Sequence, residues 1–299
     1  MFSIIKMLNR VFSLKAETDE KATSLIINLL NSNYPTMIAR FGSVEIKTVI
    51  YPRTPWYVKP LLKKLMGYSP KTGEFLHMKL NAGFFPSNIN TISDFSNLMY
   101  EDMKELDILG SWRFEEFFLK SNFSSSKIVK LHILEPYFGH NPWSQVLEGK
   151  NVLVIHPFSK TIETQYHNKR SLLFKDPKVL PKFKSLQTIR AVQTIAGNKS
   201  EFETWFQALD YMKTEIDERV FDVAIIGCGA YGFPLAAHIK RLGKKAVHLG
   251  GATQILFGIK GKRWVDNPKF KDIINEHFVY PLDEDKVNNA SVVEDACYW

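Results

Sequence analysis

The hydrophobic pattern changes character near residue 150. Before it, apolar residues recur mostly at helical spacing, and Glu17–Asn31, Tyr57–Met66 and Ile92–Glu105 read as helices. Two strand candidates interrupt them. One is TMIAR at 36–40, after Pro35 has ended the first helix. The other is KIVKLHILEPY at 127–137, ending in Glu135-Pro136, with NPWSQVLEGK behind it as a short helix and turn. After residue 150, short unbroken apolar runs alternate with amphipathic segments. NVLVIHPF (151–158), SLQTIRAV (185–192), FDVAIIG (221–227) and KKAVHLGG (244–251) predict strands. Between them, Ser159 predicts the cap of one helix. Ser200–Ile216 predicts a second, with Ser200 and Glu203 as its capping box. FPLAAHIKRLG (233–243) predicts a third, stopped at Gly243. Strands alternating with helices imply an α/β fold: a Rossmann-like, mostly parallel sheet with helices on both faces and a helix-rich N-terminal part.

No repeat, low-complexity tract or linker divides residues 17–299, which read as a single α/β domain. Residues 1–16 stand apart as an amphipathic helix. Ile4, Ile5, Met7, Leu8, Val11, Phe12 and Leu14 share one broad face, and Lys6, Asn9, Arg10 and Ser13 the other. Such a helix suits a membrane interface, and it suits packing on protein equally well. Polar residues interrupt its apolar run and no small-residue cleavage site follows, which argues against a signal peptide. No stretch reaches the length of a membrane span.

Composition narrows the classes further. The 299 residues are 45% hydrophobic and 23% charged, which is ordinary for a globular chain that buries a sizeable core. The net charge of +8 is not gathered into a block of the kind that binds nucleic acid, so no nucleic-acid partner is expected. Anionic substrates, an anionic membrane or plain solubility each account for it. The two cysteines, Cys228 and Cys297, lack metal-type spacing, and a reducing cytoplasm is the economical reading.

The first chemical motif is Gly227-Cys-Gly229-Ala-Tyr-Gly232, a G-x-G-x-x-G between a strand and a helix. Its glycines allow a tight turn, close approach of backbone to a phosphate, and close helix packing. A dinucleotide site also asks for an acid at the end of the next strand, to hold the ribose. That strand ends here in His248, Leu and two glycines, so NAD is not expected. Two readings stay open for the glycines, a nucleotide-diphosphate or sugar site at the carboxyl ends of the strands, or tight packing alone.

The second motif is MIARFGSVEIKTVI (37–50), in which a short strand enters Arg40-Phe-Gly42 and Ser43-Val-Glu45 opens a helix. Together with AIIGCGAYGFPLAAHIKRLGKKAVHLGG, this resembles the GT-D type of bacterial glycosyltransferase. That family carries Arg-Phe-Gly-Asp-Gly-Glu near its N-terminus and a glycine turn between strand and helix near its end. The resemblance spans roughly residues 36 to 256. The stretch GGATQILFGIKGKRW beyond it resembles proteins of bacterial capsule and O-antigen clusters. The resemblance implies transfer of a sugar from a nucleotide-sugar donor to a glycan or lipid-linked acceptor, in the cytoplasm or on the inner face of the membrane. The family's Asp-x-Glu serves the donor and its Mn²⁺ or Mg²⁺. Here the Asp is Ser43, so Glu45 is left as the single candidate metal ligand. One carboxylate holds a hard cation less well than two.

Glycosyl transfer needs a base for the acceptor hydroxyl and positive charge for the leaving diphosphate. Glu45 and Glu135 are the candidate bases. Arg40, Gly42, Ser43, Gly227, Gly229, Tyr231 and Gly232 come from the two motifs as donor-binding candidates. His156 and Ser159 lie where a strand hands over to a helix, with Thr161, Gln165 and Arg170 following. Gln254, Lys262 and Arg263 come from the last glycine-rich stretch, where Trp264 stands ready to stack. Trp56, Trp112 and Trp143 are candidates for a sugar groove. Two other functions fit parts of the sequence: a nicotinamide-dependent oxidoreductase, and a non-catalytic partner in a polysaccharide assembly complex.

Overall fold

The computed structural model describes residues 11–60, 74–286 and 298–299. Seven strands form one sheet: β1 Thr36–Ala39, β2 Ile108–Ser111, β3 Lys127–Lys130, β4 Asn151–His156, β5 Ser185–Arg190, β6 Val223–Ile226 and β7 Lys245–His248. Every pairing is parallel, and the spatial order is β3-β2-β1-β7-β6-β4-β5. Among the described residues the named helices, in chain order, are α1 Asp19–Asn31, α2 Ser43–Arg53, α3 Glu74–Ala82, α4 Ile89–Asp102, α5 Glu116–Leu119, α6 Ser159–Leu173, α7 Trp205–Asp217, α8 Gly232–Arg241, α9 Ala252–Leu256 and α10 Lys262–Val265.

The strands are apolar on both faces because both faces are covered. In β6, Ala224 and Ile226 point into one core while Val223 and Ile225 point into the other. The first core also takes Ile46 of α2, Phe95 of α4, Trp205 of α7 and Leu235 of α8. The second takes Ile26 of α1, Ile162 of α6 and Ile255 of α9. Ile225 is wholly buried, and truncating it to Ala would cost about 2–5 kcal/mol.

These faces position the site. The helices after β1 and β6 turn onto the first face, and those after β4 and β7 turn onto the second. Sheet neighbours β1 and β7, β7 and β6, and β6 and β4 therefore send the chain in opposite directions. A parallel sheet opens a crevice beyond the carboxyl ends of its strands where this happens.

Several elements depart from the sequence expectation. The strand expected over 127–137 stops at Lys130, and two single 3-10 turns, Leu131–Leu134 and Pro136–Phe138, take over. The partner strand explains it: Lys130 faces Ser111, the last residue of β2, so nothing remains to pair. β2 itself has too few apolar residues to stand out in the sequence. It is fixed by contact, with Asp107 Oδ2 accepting the Met37 N–H at 2.7 Å. The helix expected from Ser200 begins at Trp205. Ser200 spends its hydroxyl on the Phe202 N–H, and the capping box is Thr204 with Gln207. Ser159 is not a cap but the first helical residue, with Phe158 before it. The helix expected at 92–105 runs three residues earlier and ends in the 3-10 turn Met103–Glu105. Residues 1–10 of the amphipathic N-terminal segment, and most of the helix expected at Tyr57–Met66, lie outside the described residues. No helix among the described residues is long and apolar enough to cross a membrane.

Candidate functional site

A cleft enclosing about 970 Å³, counted to its open mouth, lies over the carboxyl ends of β1, β4, β6 and β7. β1 delivers Arg40, Gly42, Ser43 and Glu45; β4 delivers His156; β6 delivers Gly227 and Gly229; β7 delivers His248 and Gly250. Trp112, from the turn after β2, closes one side. Gln254, Arg263 and Tyr298 close another, and Asn81 and Gln193 face them.

Arg40 is locked in place. Its Nε and Nη2 donate to the Phe41 carbonyl at 3.1 and 2.9 Å, and Trp112 Nε1 donates to the same oxygen at 2.9 Å. The guanidinium lies 4.7 Å from the Trp112 ring centroid, within cation–π range. Its Nη1 faces Gly250, where a Cβ would approach to 3.2 Å and the backbone is left-handed (φ 62°). Burial is the largest influence on Arg40 and lowers its pKa. Glu45 and Tyr298 oppose that shift, and the nearby Arg263 adds to it. Arg263 Nη1 donates to the Tyr298 hydroxyl at 3.2 Å, and Gln254 Nε2 donates to the Tyr298 carbonyl at 3.1 Å. Two guanidiniums thus share one cleft.

Glu45 stands at the third position of α2 and folds back over the helix start. Burial raises its pKa, while the backbone N–H groups of Glu45 and Val44 and the charge of Arg40 pull it down. The carboxylate fills the space beside Gly42, where any Cβ would overlap it. Gly42 is therefore needed for what it lacks; its φ of −74° is open to any residue.

His156 Nδ1 accepts the Phe158 N–H at 2.9 Å, which puts the ring proton on Nε2. Burial depresses its pKa to about 3, so the imidazole is a neutral donor at ordinary pH. His248 is also pushed down to about 3, first by burial and then by Arg40. Its ring packs directly on Gly232, which is why position 232 has no side chain. Gly227 lets three strand ends converge: a Cβ there would lie 2.6 Å from the Gly250 carbonyl and 2.8 Å from the His156 ring. Gly229 is left-handed (φ 56°) and lies against the Ala82 carbonyl.

The cleft thus unites Arg40, Gly42, Ser43, Glu45, His156, Gly227, Gly229, Gln254 and Arg263. Tyr231, Gly232, Ser159 and Lys262 are not in its wall. Tyr231 is buried and stacked on Trp205 with centroids 4.8 Å apart. Lys262 is exposed at the start of α10. Glu135 lines an adjoining cavity instead. The polar run after Ser159 is engaged elsewhere: the Thr161 N–H and hydroxyl both donate to Asp285, Gln165 donates to the Gly258 and His277 carbonyls, and Arg170 to the Leu180 carbonyl. Trp143 is buried with its N–H on the Leu134 carbonyl, and Trp56 is 81% exposed. Neither lines the cleft.

Glu116 escaped sequence reasoning. It is fully buried, accepts from the Ser111 hydroxyl, and takes the Trp112 N–H at 3.3 Å. Burial raises its pKa to about 7 against these hydrogen bonds and the charge of Arg40. Its only sequence signal was the pair Glu115-Glu116 in an aromatic run. Glu115 is buried too, on Arg113 at 2.9 and 2.5 Å.

Among the described residues no group of three or more His, Cys, Asp or Glu is placed to hold a metal ion. The cleft offers one carboxylate, already accepting N–H groups, beside two guanidiniums. That donor set does not fit a hard divalent cation, which takes several free oxygens.

No protein-family profile and no curated protein matches the chain. Three solved structures are similar to it over most of the chain. Two are of domain of unknown function 1792, one of them described as having a distinct glycosyltransferase fold; each is 13% identical over 83% of this chain and 82% of that chain, with a TM-score of 0.43. The third, described as a new glycosyltransferase (DUF1792) from Streptococcus sanguinis, is 12% identical over 91% of this chain and 96% of that one, with a TM-score of 0.45. The likeness is distant, and function has to follow from the chemistry of the cleft.

Proposed function

We propose that this chain is a glycosyltransferase that takes its sugar from a nucleotide-sugar donor bound in the cleft. The observation that carries this reading is the convergence of Arg40 and Arg263 on one crevice of a parallel sheet, beside the neutral N–H donor of His156. Two guanidiniums and an uncharged donor suit a diphosphate. In the reaction, an acceptor oxygen bonds to the anomeric carbon while the bond from that carbon to the diphosphate oxygen breaks. The electron pair leaves with the diphosphate, whose growing charge Arg40 and Arg263 stabilise. The hydroxyl proton passes to a carboxylate, and Glu45 is the one in the cleft wall.

The acceptor on this reading is a glycan or lipid-linked saccharide of bacterial surface polysaccharide synthesis, met on the cytoplasmic side of the membrane. Residues 1–16 would supply any contact with that surface. The oxidoreductase reading is disfavoured, because the position of a ribose-binding acid holds His248, buried on Gly232.

A thermal-shift screen against nucleoside diphosphates and nucleotide sugars, with and without Mn²⁺, tests the reading. A ligand at 100 times its Kd stabilises by about 2.7 kcal/mol. Stabilisation by at least one nucleotide sugar is expected, and Arg40→Met should remove it. No shift with any of them would leave the non-catalytic partner as the better account.

A further inference from the structure

Arg40 and Trp112 line the donor cleft. A second cavity lies beyond them and shares Arg40, Trp112, Gly251, Arg263 and Tyr298 with the first, so the two spaces meet across these residues. Its far wall is different in kind. Glu135, from the turns after β3, accepts Lys269 Nζ at 3.3 Å, and that ammonium also lies 3.7 Å from the Phe138 ring centroid. Asn267 stands beside them, and the rings of Trp112, Trp264 and Tyr298 border the space. The first cavity gathers positive charge, whereas this one sets a carboxylate against an ammonium and adds an amide and aromatic rings.

That balance selects a ligand. A phosphate would meet the Glu135 carboxylate, and a cation would meet Lys269, Arg40 and Arg263. A neutral, hydroxyl-rich ring satisfies both sides: its hydroxyls donate to Glu135 and accept from Lys269, and its C–H face lies on an aromatic ring. Transfer also requires a second substrate within reach of the donor, and this cavity adjoins the donor cleft across Arg40, Trp112 and Tyr298.

We propose that the second cavity is the acceptor subsite and takes the terminal sugar of the acceptor glycan, with Glu135 and Lys269 hydrogen-bonding its hydroxyls. The assignment rests on the donor reading of the first cleft. The competing account is that Glu135 and Lys269 only tie the 131–138 turns to the segment after α10.

The test separates the two cavities. Glu135→Gln keeps the shape of the side chain and removes its charge. Ala252→Phe fills the second cavity from a residue that does not line the first. Each variant is compared with the wild type in three measurements: the melting shift given by nucleotide sugars, transfer from them to a panel of p-nitrophenyl glycosides, and saturation-transfer NMR of those glycosides on the protein without donor. Expected are an unchanged melting shift in both variants, transfer to glycosides lowered by about tenfold or more, and loss of the NMR contact. Transfer unchanged in both variants would overturn the proposal, as would a wild type that contacts no glycoside, or a melting shift lost together with transfer. A wild type that contacts glycosides through Glu135 but gives no shift with any nucleotide sugar would support the subsite and refute the donor reading. Should Glu135→Gln fail to fold, Lys269→Met probes the same pair from its exposed side.

Discussion

Gly42 is needed for the space beside Glu45 and not for backbone freedom. Gly42→Ala is allowed by its φ, yet the new Cβ would evict the Glu45 carboxylate from the start of α2. We expect the melting temperature to move little and glycosyl transfer to fall by about tenfold or more, measured side by side. Glu116 makes the opposite prediction, one of stability. Its pKa lies near 4.5 ordinarily and near 7 in the fold, so the folded state holds the proton over a range where the unfolded state has lost it. Stability contributed at this site is therefore greatest below about pH 4.5 and falls as pH rises to about 7. At about 1.4 kcal/mol per unit, the loss is on the order of 3 kcal/mol. Glu116→Gln should remove that slope, so its advantage over the wild type in chemical denaturation should grow between pH 5 and pH 8. Asp102, raised to about 6 mainly by burial, adds a slope of the same sign that this variant leaves in place.

The elements divide by how they are specified. α8, β4, β6 and β7 were legible because parallel strands buried on both sides are written as unbroken apolar runs, and Gly243, left-handed at φ 77°, ends its helix as expected. β2 was not legible, since Ile108–Ser111 becomes a strand through its neighbours and not through its own pattern. The Arg-Phe-Gly and glycine-turn segments pointed to residues that do meet in the cleft. The Thr161 hydroxyl in α6 misled because Asp285, 124 residues away in the chain, claims it. Asp285→Ala should therefore cost on the order of 2 kcal/mol in unfolding, by stranding buried donors, and leave any nucleotide-induced melting shift intact. The capping of α7 gives a cleaner contrast. Thr204→Ala should cost about 1 kcal/mol and Ser200→Ala much less, because the capping box belongs to Thr204 and Gln207.

At the scale of the whole molecule, both cavities lie where loops from different strands converge, and their chemistry is electrostatic. Binding of nucleoside diphosphates to Arg40 and Arg263 should weaken steadily with added salt, and calorimetry across ionic strengths would show it. Because the wall offers no free set of oxygens for a hard cation, EDTA should leave nucleoside diphosphate affinity unchanged. A large loss would restore a metal to the site.

The strand order has a consequence for how the molecule comes to exist. β1–β3 form one half of the sheet and β4–β6 the other, and β7, the last of the seven strands in sequence, pairs with both halves. Until residues 245–248 are in place, β1 and β6 are open edges, ready to pair with another chain. Folding is thus committed late, by contacts between residues far apart in sequence, which makes it slow and exposed to aggregation during synthesis. A chain cut before residue 244 should accumulate as insoluble material, although it carries six of the seven strands.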